Sequence, residues 1–397
     1  MIWERVKLGD VTDSCLGKML DQRKNKGTYK PYLANVNVRW GAFDLDNLQE
    51  MKFEDDEDER YGIKYGDLII CEGGEPGRCA IWKEQLPNMK IQKALHRLRV
   101  NEEMDYRYVY YWFLLAGKQG ALKQYYTGAT IMHMPGQKLK EVVIDKPPLD
   151  VQRKIGDYLE AFDDLIENNQ KQIKLLEEAA QRLYKEWFVD LRFPGYEDVT
   201  VIDGVPEGWA EDTIDSKFDL LSGYAFKSAE FNAEGIYKIV TIKNVKDGHF
   251  DSDNVSRMLD IPTKMPEHCK LLDGDILLSL TGNVGRVCIV YGDNYLLNQR
   301  VAKIKSNNPT YAYCLFRSKN MFDEMNNLAN GAAQQNLSPI RTGKIKVVFP
   351  TDKLIDTFEE IVSPMIEKIT MLNKTMLLLS QARDRLLPKL MNGEFEV

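Results

Sequence analysis

The chain has 397 residues, 44% hydrophobic and 28% charged, with a formal net charge of −7. That is the composition of a globular protein large enough for two or three domains with their own cores. No apolar run approaches the roughly 20 residues of a membrane-spanning helix, and the opening MIWERVKLGD has no signal-peptide core, so a cytoplasmic chain without a membrane partner is expected. Six cysteines at 15, 71, 79, 269, 288 and 314 form no C-x-x-C pair, which reads as buried, reduced thiols and not as disulfides or a zinc site.

Local charge departs from the acidic total. Residues 17–39 hold six basic residues and one acid, as do residues 78–99, while acids concentrate elsewhere, as in EDDEDE at 54–59. A solvated face and a nucleic-acid patch are equally good readings of such runs. The next feature, GDLIICEGGEPGR at 66–78, returns as GDILLSLTGNVGR at 274–286. Both open on Gly-Asp, continue as an apolar run and close on Gly-x-x-Gly-Arg.

The echo is wider than this phrase. NVRWGAFDLDN (37–47) parallels NVKDGHFDSDN (244–254), and Gln92-Lys93 parallels Gln299-Arg300. GATIMHMPGQKLKEVVIDKPP (128–148) parallels GAAQQNLSPIRTGKIKVVFPT (331–351). The spacing drifts only from 208 to 203 residues, far longer than solenoid periods, so each copy is a complete module. Within a copy, DLIIC, RCAIW, ILLSL and VCIVY between Gly, Asn and Asp read as strands. YVYYWFLLAGKQGAL reads as a helix.

Each copy ends in a long helix. Leu159, Ile166, Ile173, Ala180 and Trp187 recur every seven residues, interleaved with Ile155, Phe162, Asn169, Leu176 and Leu183. In the second copy Val362, Ile369, Met376, Arg383 and Leu390 alternate with Phe358, Met365, Leu372, Leu379 and Leu386. Two heptad seams in one chain predict a coiled coil in which the helices pack on each other. Pro364 and Pro388 are expected to kink or end the second helix. Residues 191–209, rich in Pro and Gly, join the copies as a linker.

Catalytic signatures are missing: no Walker motif, no G-x-G-x-x-G after a strand, no nucleophile elbow, and four histidines (96, 133, 249, 268) without metal-ligand spacing. Glu50-Met51-Lys52 has an E-x-K spacing, but the pattern is short and common, and a surface turn is the better reading. Base-reading chemistry is well represented. Arg suits guanine, Asn and Gln suit adenine, and the same side chains also cap turns or contact phosphate. The candidates for DNA contact in the first copy are Asn37, Arg39, Arg78, Gln92 and Lys93. In the second they are Tyr224, Lys227, Lys243, Asn283, Arg286, Asn298, Gln299, Arg300, Gln334, Gln335 and Asn336.

LSGYAFKSAEFNAEGIYKIVTIKNVKDGHF, GDILLSLTGNVGRVCIV, LNQRVAKIK, GAAQQNLSPI and RLYKEWFVDLRFP together resemble the specificity subunits of type I restriction–modification enzymes, over essentially the whole chain. The resemblance implies an α+β protein: two mixed α/β target-recognition domains, related by a pseudo-twofold and separated by two long helices packed as an antiparallel coiled coil. The expected divisions are 1–148 for the first recognition domain, 149–192 for the first spacer, 193–350 for the linker and second recognition domain, and 351–397 for the second spacer. Each domain is expected to read one half of a bipartite, asymmetric site in double-stranded DNA. Two modification (methyltransferase) subunits and the restriction subunits are the implied partners. They carry the S-adenosylmethionine and ATP chemistry, so this chain is expected to be non-catalytic and to hold no cofactor or metal. A self-contained DNA-modifying enzyme and a coiled-coil scaffold without DNA are the alternative readings.

Overall fold

The computed structural model describes residues 3–21, 23–253, 255–329 and 336–395. It divides into two compact units, Met1–Leu165 with Leu379–Val397, and Ile166–Leu378.

Unit 1 begins with β1 (Glu4–Lys7), β2 (Thr12–Leu16), β3 (Thr28–Leu33), β4 (Val38–Arg39), β5 (Ala42–Phe43) and β6 (Gln49–Phe53). It continues with the one-turn helix α1 (Asp58–Tyr61), β7 (Leu68–Cys71), β8 (Cys79–Ile81), β9 (Lys90–Ile91), β10 (Leu95–Val100), α2 (Tyr106–Gln119), α3 (Gly136–Glu141) and β11 (Val143–Lys146). An antiparallel sheet has the order β2-β10-β7-β8, a second runs β6-β3-β9 with β3 and β9 parallel, and β1 pairs with β11. All four residues of β7, LIIC, are buried, as a strand covered on both faces requires. Helix α2 starts where the Asp105 carboxylate accepts the Arg107 N–H and stops at Gly120, whose φ of 70° breaks the ladder.

The long helix α4 (Leu149–Tyr184) passes from unit 1 into unit 2 and ends in a π-turn, Lys185–Val189. Unit 2 then has β12 (Val201–Ile202), β13 (Val205–Pro206), β14 (Ala210–Thr213), β15 (Asp219–Ser222), β16 (Tyr237–Val240), β17 (Val245–Lys246), β18 (His249–Phe250) and β19 (Ser256–Met258). There follow β20 (Lys270–Leu271), β21 (Ile276–Ser279), β22 (Val287–Ile289), β23 (Tyr295–Leu297), β24 (Val301–Lys305), α5 (Pro309–Arg317), α6 (Lys319–Ala329), α7 (Pro339–Gly343), β25 (Lys346–Phe349) and α8 (Asp352–Met391). The sheet orders are β15-β24-β21-β22 and β19-β16-β23-β20, with β14 paired to β25. This is the pairing of unit 1, with β20 added at one edge and the β12–β13 hairpin added before β14. The repeat in the sequence is therefore a repeat of topology.

In unit 2 the end of α4 lies against the start of α8: Tyr184 and Trp187 meet Phe358 at ring distances of 6.1 and 5.8 Å. In unit 1 the start of α4 lies against the end of α8, where Ile155 and Leu159 share a core with Leu387 and Leu390. Asp163 there pairs with Arg383, the residue that interrupts the second seam. Within each unit the helices thus run antiparallel. None of the heptad residues on either helix is exposed, which is what a coiled-coil seam demands.

Two expectations need correction. Helix α8 is continuous through Pro364 and Pro388. Each proline removes one backbone bond, but flanking bonds and the buried seam carry the helix across. Glu50-Met51-Lys52 lies in β6, not a turn, with Met51 buried and paired with Lys30 of β3. Within the expected linker, β12 and β13 close a tight hairpin over Asp203 and Gly204, both at positive φ.

Candidate nucleic-acid interface

The twice-written phrase folds twice into one device. Gly66 and Gly274 take φ of 85° and 90°, Gly74 and Gly282 74° and 73°, and Gly77 and Gly285 89° and 79°. These are left-handed conformations that a Cβ resists. Gly66 N–H donates to Trp82 O and Gly274 N–H to Val290 O, at 2.9 Å each. The Asp of Gly-Asp caps its own turn: Asp67 Oδ2 accepts Lys64 N–H at 2.8 Å, and Asp275 Oδ2 accepts Leu272 N–H at 2.9 Å. Each carboxylate also holds a cation of the neighbouring strand, Arg99 and Lys303, at 2.7 Å. Gly-Asp and Gly-x-x-Gly are therefore the frame of the hairpin, and they leave the intervening side chains to other work.

Four further segments meet this hairpin in unit 1. Gly73 bridges His133, Glu72 N–H donates to Ala94 O at 2.9 Å, and Asn35 Nδ2 donates to Gly73 O at 2.7 Å. Lys18 forms a parallel bridge with Gln92. Unit 2 repeats three of these contacts, and there Thr281 bridges Asn336, Leu280 N–H donates to Arg300 O at 3.0 Å and Tyr224 bridges Asn298, while Ile242 takes the fourth place against Gly282. One end of each unit thus collects five loops, and most of the candidate residues lie on them. Gln334 and Gln335 fall outside the described residues.

Their environments differ. Asn37 is buried, its Oδ1 accepting Ala34 N–H at 2.9 Å and its Nδ2 donating to Asp44 O at 3.0 Å, so it locks its own turn. Asn244 does the same in unit 2. Arg39 is half exposed and pairs with Asp44 at 3.3 Å. The Arg78 guanidinium is occupied: Nη2 donates to Asn35 O at 3.1 Å and Oδ1 at 2.9 Å, and Nη1 pairs with Glu75 at 3.2 Å. Arg286, at the same station of unit 2, has no side-chain partner among the described residues, and neither do Lys227, Lys243 and Arg300. Asn298 Oδ1 accepts Arg300 N–H at 3.2 Å, which fixes that turn. Tyr224 is half-buried with its ring against Phe226, while Gln299 and Asn283 are exposed. Gln92 is half-buried, and Lys93 is exposed.

Asn35 is a residue the sequence reading missed. It ties Gly73 and Arg78 together, yet its counterpart is Ile242, whose Cδ1 would lie 3.2 Å from a Cβ on Gly282. Because the two copies solve this contact with different chemistry, comparing them conceals it.

The basic runs also need correction. The acids of 54–59 do not lie elsewhere. Glu57 pairs with Lys18, Asp58 with both Lys30 and Lys90 at 2.8 and 3.0 Å, and Asp55 with Lys30 at 3.4 Å. Arg97 and Arg99 are taken by Asp13 and Asp67. Lys30 and its neighbours hold the Asp58 carboxyl below its usual range. Much of the positive charge counted in unit 1 is thus neutralised internally. Among the described residues no group of three or more His, Cys, Asp or Glu could hold a metal, and no helix is long and apolar enough to cross a membrane.

Comparison with known proteins agrees with this two-part architecture. The model of the type I restriction modification DNA specificity domain matches twice, at residues 2–178 and 206–374. The MjaIX specificity subunit of Methanocaldococcus jannaschii is 27% identical over 353 residues, 84% of this chain and 78% of its own. The MjaVIII specificity subunit of the same organism is 26% identical over 412 aligned positions, covering 100% of this chain and 93% of its own. The crystal structure of the type I restriction–modification S subunit from M. genitalium superposes with a TM-score of 0.59 at 18% identity, over 98% of this chain and 96% of that one. Two matched domains, each built on the same strand order and the same glycine frame, place the chain in the type I restriction–modification DNA specificity family.

Proposed function

We propose that this chain is the DNA-recognition subunit of a cytoplasmic type I restriction–modification assembly, with residues 1–148 and 193–350 each reading one half of a bipartite, asymmetric site. The observation that carries this reading is the pairing of a shared frame with unlike exposed residues. Both units gather loops on the same frame, but the exposed Glu75 stands where the other has the exposed Asn283, and in the sequence Ile131-Met132-His133 stands where it has Gln334-Gln335-Asn336. The differing triplets Cys71-Glu72-Gly73 and Ser279-Leu280-Thr281 are not exposed and belong to the frame. The two modification subunits dock on the helical segments 149–192 and 351–397, and the restriction subunits join that complex. Methylation, translocation and cleavage belong to those partners, and this chain alone is expected neither to methylate nor to cut DNA.

The test is an exchange. Residues 1–148 are replaced by another recognition domain of the same type, and the methylated motif is mapped in a host carrying the complete system. One half of the motif should change and the other persist. A change in both halves, or in neither, overturns independent reading.

A further inference from the structure

Residues 127–133 of unit 1 form a short hairpin closed by Thr127 N–H to His133 O at 2.8 Å and His133 N–H to Thr127 O at 2.9 Å. Its turn is built on Gly128, at φ 100°, where a Cβ would lie 2.3 Å from Ile131 O. The base is anchored: Gly73 bridges His133, Met134 N–H donates to Glu72 O at 2.7 Å, and the buried His96 ring bonds Met134 O at 3.2 Å. At the tip of this fixed ribbon Ile131 is 64% and Met132 46% exposed. Two adjacent large apolar side chains held in water on an anchored loop are not core packing, and they mark a contact surface.

What they contact follows from the surroundings. Lys93, exposed and without a side-chain partner among the described residues, immediately precedes Ala94, whose carbonyl accepts the Glu72 N–H beside the hairpin's anchor at Gly73, so the apolar tip has an unpaired cation for a neighbour. Neither Ile nor Met can bond a phosphate or the polar edge of a base. The apolar feature displayed in a DNA groove is the C5-methyl of thymine, in the major groove. That groove, about 12 Å wide, admits a two-stranded ribbon, whereas the minor groove is about 6 Å. We infer that the 127–133 hairpin enters the major groove and that Ile131 and Met132 read a thymine methyl in the half-site recognised by residues 1–148. This rests on the DNA-recognition reading above and adds to it the chemistry of one contact. In unit 2 Asn336, bridged to Thr281, corresponds to His133, and the sequence has Gln334 and Gln335 where unit 1 has Ile131 and Met132. These residues carry amides suited to adenine and no large apolar side chain, so methyl reading is confined to the first half-site.

The test uses the complex assembled with its modification subunits and a duplex carrying the mapped motif, the first half-site having been assigned by the exchange above. Each thymine is replaced in turn by deoxyuridine, which removes only the methyl. Binding should weaken about fourfold at one or two positions of the first half-site, the scale of one buried methyl group, and at none in the second. The doubly substituted I131A/M132A complex should bind thymine and deoxyuridine duplexes equally. A first half-site without an A·T pair, a wild-type complex indifferent to deoxyuridine, or a variant that keeps the thymine preference each overturns the inference while leaving DNA recognition standing. Failure of the wild-type complex to prefer its mapped motif over a scrambled duplex would overturn the underlying reading instead.

Discussion

Arg78 gives two hydrogen bonds to Asn35, at 3.1 Å to the backbone oxygen and 2.9 Å to the side chain. Arg286 stands at the same station of the second copy, but Ile242 takes the place of Asn35 and offers its side chain nothing to bond. One arginine is therefore part of the scaffold and the other is available. Arg78→Ala should cost unit 1 about 1–3 kcal/mol in urea unfolding, because part-buried acceptors lose a charged donor. Arg286→Ala should leave stability unchanged and weaken specific DNA binding. Loss of discrimination between bases would assign Arg286 to guanine, and uniform weakening would assign it to phosphate. Ile242→Asn should recapture the guanidinium and mimic Arg286→Ala in binding. Equal stability effects from R78A and R286A would contradict the distinction.

Gly17 and Gly223 are set against backbone. A Cβ on Gly17 would lie 2.4 Å from Gln92 O, and one on Gly223 2.3 Å from Asn298 O. A carbonyl in a bridged strand cannot swing aside as a side chain can. Gly17→Ala and Gly223→Ala should each cost on the order of 1–3 kcal/mol or more by forced displacement. A midpoint unchanged in urea for either variant would show that the strands separate freely there.

Lys227, Lys243, Arg286 and Arg300 of unit 2 have no side-chain partner among the described residues. Replacing Lys227, Lys243, Arg286 and Arg300 together with glutamine should flatten the dependence of log K on log salt by up to about 3.6, at roughly 0.9 per phosphate contact. Replacing Lys18, Lys30 and Lys90 should instead lower stability, since each is paired with an acid of 55–58. An unaltered salt slope in the first variant would remove those four residues from the phosphate interface.

His96 supplies a pH dependence. Burial holds its imidazole below the ordinary value of 6.5, against a smaller opposing pull from Glu72. The folded state therefore binds this proton less readily than the unfolded state. Stability is fully present above about pH 6.5 and falls as the pH drops from there toward the folded value. His96→Gln retains a donor for Met134 O and lacks the titration. Its urea midpoint should be flatter than wild type between pH 7 and pH 5, and parallel profiles would exclude His96 as the cause.

Much of this was legible in the sequence. The offsets of 208 to 203 residues became matching strand orders with β20 and the β12–β13 hairpin added in unit 2, and Gly-Asp and Gly-x-x-Gly were visible because turn geometry restricts residue choice regardless of what the turn presents. Heptad burial followed for the same reason. Pairing over distance was not legible. The neutralisation of Lys18, Lys30 and Lys90 depends on the acidic segment around α1 lying against β3 and β9, which no local pattern announces. The proline-bearing helix α8 was misjudged because tertiary packing outweighs a missing bond. Asn37 was chosen for its chemistry, but its location turned that chemistry inward.

The frame of each recognition end is built from atoms that carry no message. Left-handed glycines, a capping aspartate and bridged backbone hold the loops, while residues such as Ile131, Asn283 and Arg286 extend from them with little structural duty. Such a division gives the protein an address that can be rewritten. On the reading proposed above, substitutions at the loop tips would alter which DNA is met without threatening the fold, so new specificities would lie within a few mutational steps of one another, each intermediate remaining a folded subunit.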